Sequence, residues 1–267
     1  ILISDYDRDN DNDILVSSKN TANEYEVRVI KNNGVSFAAP STLLTGFGAT
    51  TVPYFAILDY DNDKDDDLLV IKNSNINAAV SIDLYDYSFG SYSIQGSTGL
   101  SNSSPVGFAT ILDIDNDGFD DVLLGTKEVV SPGPGNSGNK VFRNNGGDAT
   151  FTDVTLLYNT YQTAITGDHF MSHVFDFDND GDVDIIWEVK SNSLSANRPS
   201  FREQTAPGFF APLNGLNALS ISATTRKKLV VLDYNNDGKM DVFGETASGS
   251  ALMRNNTPGA NYLKVKL

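Results

Sequence analysis

The chain has 267 residues, of which 40% are hydrophobic, so it can bury the core of one large domain or two small ones. It contains no cysteine, which excludes disulfides and metal sites built on cysteine. No apolar run approaches the roughly 20 residues that span a bilayer, and the net charge of −16 argues against nucleic acids and anionic membranes as partners.

The acidic residues are concentrated in five similar segments of nine residues, which we call loops 1 to 5 and number by position from 1 to 9. Aspartate stands at positions 1, 5 and 9 of every loop, and at position 3 of all but the last. The first residues of successive loops are 54, 54, 63 and 57 positions apart, so the loops mark an internal repeat. The loops are residues 5–13, 59–67, 113–121, 176–184 and 233–241.

Short apolar runs flank the loops, and they predict β-strands. The runs are rich in β-branched and aromatic residues and are bounded by turn-forming residues, a pattern typical of strands and not of helices. Loop 2, for example, lies between Ile57-Leu58 and Leu68-Leu69-Val70. Each acidic loop is therefore predicted to be the hairpin loop between two strands.

A second mark recurs later in the repeat, as Asn32-Asn33-Gly34, Asn144-Asn145-Gly146 and Asn255-Asn256. Asn-Gly favours the positive φ of a tight hairpin turn, so a third and a fourth strand are predicted on either side of it. Residues 262–267 are predicted to form the fourth strand of the last repeat.

Four strands in about 55 residues are the outline of a propeller blade. The sequence thus predicts an all-β fold, with residues 1–267 forming one β-propeller domain of four-stranded blades. The five predicted blades cover approximately residues 1–50, 51–105, 106–165, 166–225 and 226–267. The alternative is that these blades are part of a propeller with seven or eight blades.

The composition of the loops points to calcium, a hard cation that takes six to eight oxygen ligands. Carboxylates at positions 1, 3, 5 and 9, with a backbone carbonyl at position 7, can surround such an ion. Position 6 must turn sharply, which suits Gly118, Gly181, Gly238 and Asn10 but not Lys64. An EF-hand is excluded, because position 12 is never acidic and the flanks are strands.

Charge counting supports bound metal. The loops hold 24 of the 35 acidic residues and only three basic ones, so the rest of the chain carries a net charge of +5. Four or more carboxylates in nine residues are hard to sustain without a counter-ion. We expect about five Ca²⁺ ions, and hence an environment with millimolar calcium outside the cytosol.

At these residues the chain resembles the FG-GAP/VCBS repeat family, which includes the propeller of integrin α-subunits. The resemblance implies a β-propeller with calcium in the loop between the first two strands of each blade, and an extracellular or cell-surface setting. The position-7 ligands that it implies are the backbone carbonyls of Asp11, Asp65, Phe119, Asp182 and Lys239. The side-chain ligands that it implies are Asp5, Asp7, Asp9 and Asp13; Asp59, Asp61, Asp63 and Asp67; Asp113, Asp115, Asp117 and Asp121; Asp176, Asp178, Asp180 and Asp184; and Asp233, Asn235, Asp237 and Asp241.

Outside the loops the acids are scattered, and no nucleophile motif or phosphate-binding glycine loop is present. His169 and His173 would lie about 13 Å apart on a strand, too far to share a metal. We therefore expect a secreted or cell-surface adhesion, ligand-binding or scaffold module with a protein or glycan partner, and no catalytic residues. The alternative is a lyase-like enzyme acting on polysaccharides with calcium-dependent catalysis. The segment 130–139 is the expected contact loop, and tyrosines such as Tyr158 are expected mostly to pack between blades.

Overall fold

The structure is a computed structural model. It describes residues 1–73, 80–102, 106–126, 139–158, 167–191, 200–212, 229–246 and 249–256. Within those ranges every regular element is a β-strand, and no helix there is long and apolar enough to cross a membrane. The prediction of an all-β fold is confirmed.

The strands form five separate antiparallel sheets, and in each sheet neighbouring strands follow one another in the sequence. Sheet 1 consists of β1 (Leu2–Ser4), β2 (Asp13–Lys19), β3 (Tyr25–Ile30) and β4 (Ser41–Leu44). Sheet 2 consists of β5 (Val52–Leu58), β6 (Asp67–Asn73), β7 (Ser81–Ser88) and β8 (Ser91–Ile94).

The remaining three sheets repeat this order. Sheet 3 consists of β9 (Val106–Leu112), β10 (Asp121–Thr126), β11 (Lys140–Asn144) and β12 (Phe151–Asp153). Sheet 4 consists of β13 (Gly167–Phe175), β14 (Asp184–Ser191), β15 (Ser200–Ala206) and β16 (Phe209–Pro212). Sheet 5 consists of β17 (Leu229–Leu232), β18 (Asp241–Thr246) and β19 (Gly249–Met253).

Five sheets of three or four antiparallel strands match the predicted blade-like repeats. The strand predicted over 262–267 lies outside the described residues. The predicted blade limits, and the closure of the blades into one propeller domain, stay predictions.

Each acidic loop joins the first two strands of its sheet, as the sequence predicted. The residue at position 9 is in every case the first residue of the second strand: Asp13, Asp67, Asp121, Asp184 and Asp241. The loop therefore leads directly into a buried strand.

The chain divides into two compact units. The first comprises Ile1–Leu112, Gly118–Leu124 and Phe142–Asp153. Sheets 1 and 2 pack here through Leu15 and Val29 on one side and Leu68, Val70 and Tyr87 on the other. A second core lies on the opposite face of sheet 2, where Leu69, Ile71 and Leu84 meet Val122, Leu124 and Phe142. Consecutive side chains of a strand point to opposite faces, so sheet 2 is buried on both.

The second unit comprises Asp113–Asp117, Gly125–Val141 and Val154–Leu267. Sheets 4 and 5 pack here, with Ile186 and Phe201 of sheet 4 against Leu229 and Val242 of sheet 5. The same sheet-on-sheet packing thus recurs in both units.

The Asn-Gly motif lies between the third and fourth strands of sheets 1 and 3, as predicted, and Gly34 and Gly146 have positive φ, at 75° and 90°. In sheet 1 the motif forms a tight turn, in which the N–H of Asn33 donates to the carbonyl of Ser36 at 2.9 Å and Asn32 pairs with Phe37. The turn is part of a longer connection, because residues 31–40 separate the two strands in sheet 1 and residues 145–150 separate them in sheet 3. The first asparagine of each motif has a different function, which involves the acidic loops.

Candidate metal loops

Position 1 holds the backbone of each loop in its turn. In loop 2, the Oδ1 atom of Asp59 accepts a hydrogen bond from the backbone N–H of Asp63 at 3.1 Å, and its Oδ2 atom accepts one from Lys64 at 3.0 Å. Loops 1, 4 and 5 have the same pair of bonds, at 2.9–3.1 Å. Aspartate side chains form such local turns readily, because the carboxylate is short and reaches nearby N–H groups.

Positions 4 and 6 have left-handed backbone conformations in all five loops. Position 4 is Arg8 or asparagine, with φ between 58° and 61°. At position 6 the φ angle is 71° for Asn10 and 72° for Lys64, and 83° to 100° for the glycines. The sequence indicated that Lys64 would not suit this turn, but Lys64 adopts it. The bond from its N–H to Asp59 offsets the roughly 1–2 kcal/mol that this conformation costs a residue other than glycine.

Position 9 links the loop to the third strand of its sheet. Its Oδ1 atom accepts a hydrogen bond from the backbone N–H of one residue near the end of that strand. The five pairs are Asp13 with Asn32 at 2.6 Å, Asp67 with Tyr87 at 2.9 Å, Asp121 with Asn144 at 2.7 Å, Asp184 with Gln204 at 2.9 Å, and Asp241 with Asn255 at 2.6 Å. In loops 2, 4 and 5 the Oδ2 atom also accepts the N–H of position 2. Sequence analysis assigned position 9 only to the metal and missed this contact.

Three of these third-strand residues also connect neighbouring sheets through their side-chain amides. Asn144 Nδ2 donates to the backbone carbonyl of Tyr60 at 2.7 Å. Gln204 Nε2 donates to the carbonyl of Ile114 at 3.0 Å, and Asn255 Nδ2 to that of Phe177 at 2.6 Å. Each acceptor is position 2 of the preceding acidic loop. The recurrence of asparagine after the third strand was the available signal, but the sequence indicated only a turn.

The first, third and ninth positions come together in four loops. In each, one carboxylate oxygen from each of the three residues lies within 4.8 Å of the others. The groups are Asp5, Asp7 and Asp13; Asp59, Asp61 and Asp67; Asp113, Asp115 and Asp121; and Asp176, Asp178 and Asp184. Loop 5 has Asn235 at position 3, so its described residues offer two carboxylates at these positions instead of three.

The other predicted ligands form part of the turn. The position-5 carboxylates of Asp9, Asp63, Asp180 and Asp237 accept the N–H of the position-7 residue at 2.9–3.1 Å. In loop 3, the N–H of Asp117 donates to Asp113 at 3.0 Å. The position-7 carbonyls of Asp11, Asp65, Phe119, Asp182 and Lys239 stay predicted ligands.

Several carboxyl groups of loops 2 and 4 hold protons more tightly than ordinary aspartates. Burial raises the pKa of Asp67 to about 8 and that of Asp184 to about 7, against a usual value of 3.8. Burial, together with the charge of Asp63, raises the pKa of Asp65 to about 6. Carboxylates with raised pKa values lack a sufficient positive charge nearby, which is the situation that a divalent cation relieves.

Several shielded carboxylate oxygens among the described residues have no hydrogen-bond partner. They include Oδ1 of Asp7, Oδ1 of Asp178, Oδ2 of Asp13, a residue that is fully buried, and Oδ1 of Asp65, which is 7% exposed. A buried carboxylate oxygen without a donor is costly unless a cation coordinates it. The donor set, which consists of oxygen atoms only, fits a hard cation such as Ca²⁺.

The described tyrosines of the loop-rich stretches pack, as expected, and Tyr85 and Tyr92 lie against the core between sheets 1 and 2. Tyr87 and Tyr158 are buried, and Tyr6 and Tyr87 form an edge-to-face pair with centroids 5.5 Å apart. Phe210 is buried, whereas Phe209 is 56% exposed. The expected contact loop, 130–139, lies outside the described residues except for Asn139.

Comparison with known proteins supports the internal repeat that was identified in the sequence. The family model described as "FG-GAP-like repeat" matches residues 5–70 and 113–187, more than half of the chain. No curated protein matches the sequence. One similar solved structure concerns specific recognition of non-reducing terminal N-acetylglucosamine by a lectin of Agrocybe aegerita. It is 14% identical, with 93% of this chain and 78% of that chain covered and a TM-score of 0.41, which is too low to support an argument about fold or ligand.

Proposed function

The chain belongs to the FG-GAP-like repeat family, and from that premise we propose that it is an extracellular calcium-binding β-propeller of five blades that binds a protein or glycan partner. The family indicates a non-enzymatic binding module. The observation that carries the proposal is the recurrence of three aspartate carboxylates within 4.8 Å in four acidic loops. Calcium supplies the positive charge that these carboxylates lack and so holds each loop against its sheet.

Positions 1, 3, 5 and 9 and the carbonyl of position 7 would hold the ion in each loop. Extracellular calcium modules typically bind with a Kd of 10⁻⁴–10⁻³ M. With free calcium about tenfold above that, each site adds roughly 1.4 kcal/mol to the free energy of unfolding, and five add about 7 kcal/mol. This total is comparable to the whole stability of a domain, so calcium would be structural and the chain would work where calcium is millimolar.

Thermal unfolding with and without excess chelator tests the metal, with calcium counted by elemental analysis. We expect several ions per chain and a fall in the melting temperature of ten degrees or more on chelation. No bound calcium and an unchanged melting curve would overturn the proposal, together with the argument for an extracellular setting. Binding to a panel of glycans and to candidate cell-surface proteins, with calcium and with chelator, then identifies the partner class.

A further inference from the structure

Each acidic loop has one charged residue from near the end of the third strand beside it, and the sign of that charge differs between the sheets. This residue directly precedes the third-strand residue whose N–H binds position 9, so it occupies an equivalent place in every sheet. In sheets 1, 3 and 5 this residue is a cation, and in sheets 2 and 4 it is an acid. The five residues are Lys31, Asp86, Arg143, Glu203 and Arg254.

The cations of sheets 1 and 5 contact their loops directly. Lys31 Nζ lies 3.0 Å from Oδ2 of Asp7, at position 3 of loop 1. Arg254 Nη2 lies 3.3 Å from Oδ2 of Asp237, at position 5 of loop 5. Both acceptors are carboxylates that a bound calcium ion would use, so a side chain already neutralises part of each loop.

The acids of sheets 2 and 4 have the opposite effect. Asp86 accepts a hydrogen bond from the hydroxyl of Tyr60, at position 2 of loop 2, at 3.3 Å. Asp86 and Glu203 directly precede Tyr87 and Gln204, whose backbone N–H groups donate to position 9 of loops 2 and 4 at 2.9 Å. Both acids therefore lie beside a loop and add negative charge to its surroundings.

The loops differ more in formal net charge when the charged third-strand residue is counted with each loop. Loops 1 to 5 alone carry −4, −5, −5, −5 and −2. Together with the third-strand residue, the values become −3, −6, −4, −6 and −1. Loop 2 also contains the buried Asp65, whose Oδ1 atom has no hydrogen-bond partner among the described residues. Arg8 of loop 1 lies 4.0 Å from the Oδ2 atom of Asp65. If this arginine is counted with loop 2, the charge around loop 2 becomes −5, which is still more negative than that around loops 1, 3 and 5. The attraction for a divalent cation is thus greatest at loops 2 and 4.

We propose that the five loops form two classes of calcium site, in which loops 2 and 4 bind tightly, and loops 1, 3 and 5 bind more weakly because a cation of the same chain partly replaces the metal charge. This inference rests on the proposed calcium-binding function. Loop 5 is the weakest, since it also has Asn235 in place of an aspartate. At low calcium the protein would therefore carry two ions.

Calorimetric titration of the calcium-free protein with Ca²⁺ measures the classes directly. We expect two sites that bind about tenfold more tightly than the rest. Asp86→Asn and Glu203→Gln should each weaken one tight site by about tenfold, because each removes one negative charge from beside a divalent cation. Asp83→Asn is the matched control, because Asp83 lies on the same strand but pairs with Lys72; it should leave every site unchanged.

Substitution of a cation beside a loop should change two quantities in opposite directions, the calcium affinity of the loop and the stability of the calcium-free protein. Lys31→Met should tighten loop 1 for calcium about tenfold, yet lower the melting temperature of the calcium-free protein, because the carboxylates lose their internal counter-ion. Lys19→Met, at an exposed lysine that bonds Asn23, should do neither. Simple damage to the fold would weaken calcium binding and lower stability together, and that result would overturn the inference.

Different results would contradict calcium binding itself and the division of the loops into two classes. If no loop binds calcium, the proposed function itself is wrong. If calcium binds to five equivalent sites, and the Asp86, Glu203 and Lys31 variants behave as their controls do, the function stands and the division into two classes is wrong.

Discussion

Loops 2 and 5 have the same backbone conformation, but their net charges are −5 and −2. In both, position 1 accepts the N–H groups of positions 5 and 6, and position 4 has φ near 60°. In both, position 9 is fully buried and accepts the N–H of a third-strand residue. Yet loop 2 contains six aspartates and loop 5 contains three.

The comparison shows that two separate sets of residues shape and charge the loop. Positions 1 and 9 set its conformation, because their carboxylates hold the backbone with hydrogen bonds. Positions 3 and 7, and the adjacent third-strand residue, set its affinity for a cation. A loop can therefore lose charge, as loop 5 has done, and keep its shape.

The largest expected effect comes from removing position 9. Asp67→Ala and Asp241→Ala each leave buried N–H groups without an acceptor, which costs about 2–4 kcal/mol in the free energy of unfolding. Denaturant unfolding in chelator should show similar losses for the two loops, because their hydrogen bonds are alike. Asn12→Ala, at an exposed position of loop 1, is the control. Unequal losses in chelator would show that the two backbones are not equivalent.

The pH dependence of stability should differ in sign from that of an ordinary acidic protein. The folded-state pKa is raised to about 8 for Asp67, about 7 for Asp184 and about 6 for Asp65. The folded state therefore holds these protons more tightly than the unfolded state, so the stabilisation is complete below about pH 4 and is lost as the pH rises to about 8. In chelator, the melting temperature should fall by several degrees between pH 5 and pH 8.

Two further measurements sharpen the test of pH dependence. Asp67→Asn should flatten the fall, because it removes the carboxyl with the highest of these pKa values. Saturating calcium should also reduce the fall, since the ion replaces the proton as counter-charge. A melting temperature in chelator that rises from pH 5 to pH 8 would contradict the assignment of unneutralised carboxylates to the loops.

A smaller effect on the free energy of unfolding is expected from the contacts that sheet 2 and sheet 5 each make with the sheet before them. Asn255 Nδ2 of sheet 5 donates to two backbone carbonyls, those of Phe177 and Met240. Sheet 2 has Tyr87 at the equivalent place, and its ring packs on Tyr6 instead. Asn255→Ala should cost about 1–3 kcal/mol, whereas Tyr87→Phe should change stability by less than about 0.5 kcal/mol. A large loss from Tyr87→Phe would mean that its hydroxyl, not its ring, makes the contact.

The smallest effect concerns position 6. Lys64→Gly should stabilise the protein by about 0.5–1 kcal/mol, because glycine adopts a φ of 72° without strain. Gly238→Ala in loop 5, where φ is 83°, should destabilise it by about 1 kcal/mol. Thermal unfolding in chelator separates these effects from calcium binding. If Lys64→Gly is destabilising, the lysine side chain makes a contact that outweighs the strain.

Much of the candidate site could be predicted because its chemistry is local. The five aspartate loops, their strands and the clustering of positions 1, 3 and 9 all follow from residues within one hairpin. The sequence did not predict that Lys64 would adopt the turn of a glycine, because the bond that permits it comes from Asp59, five positions earlier. Nor did it predict the second function of position 9, since its partner lies 14 to 23 residues away on another strand.

The sequence by itself determined the repeat, the all-β class and the acidic loops, because strand periodicity and ligand type are read from neighbouring residues. Only the tertiary structure decided which asparagine contacts which carbonyl, since Asn255 and Phe177 are 78 residues apart. It also decided which charged side chain lies beside each loop. Lys31 and Asp86 look like scattered surface charges in the sequence, and the return of the third strand to the loop is what places one cation and one acid beside two otherwise similar sites.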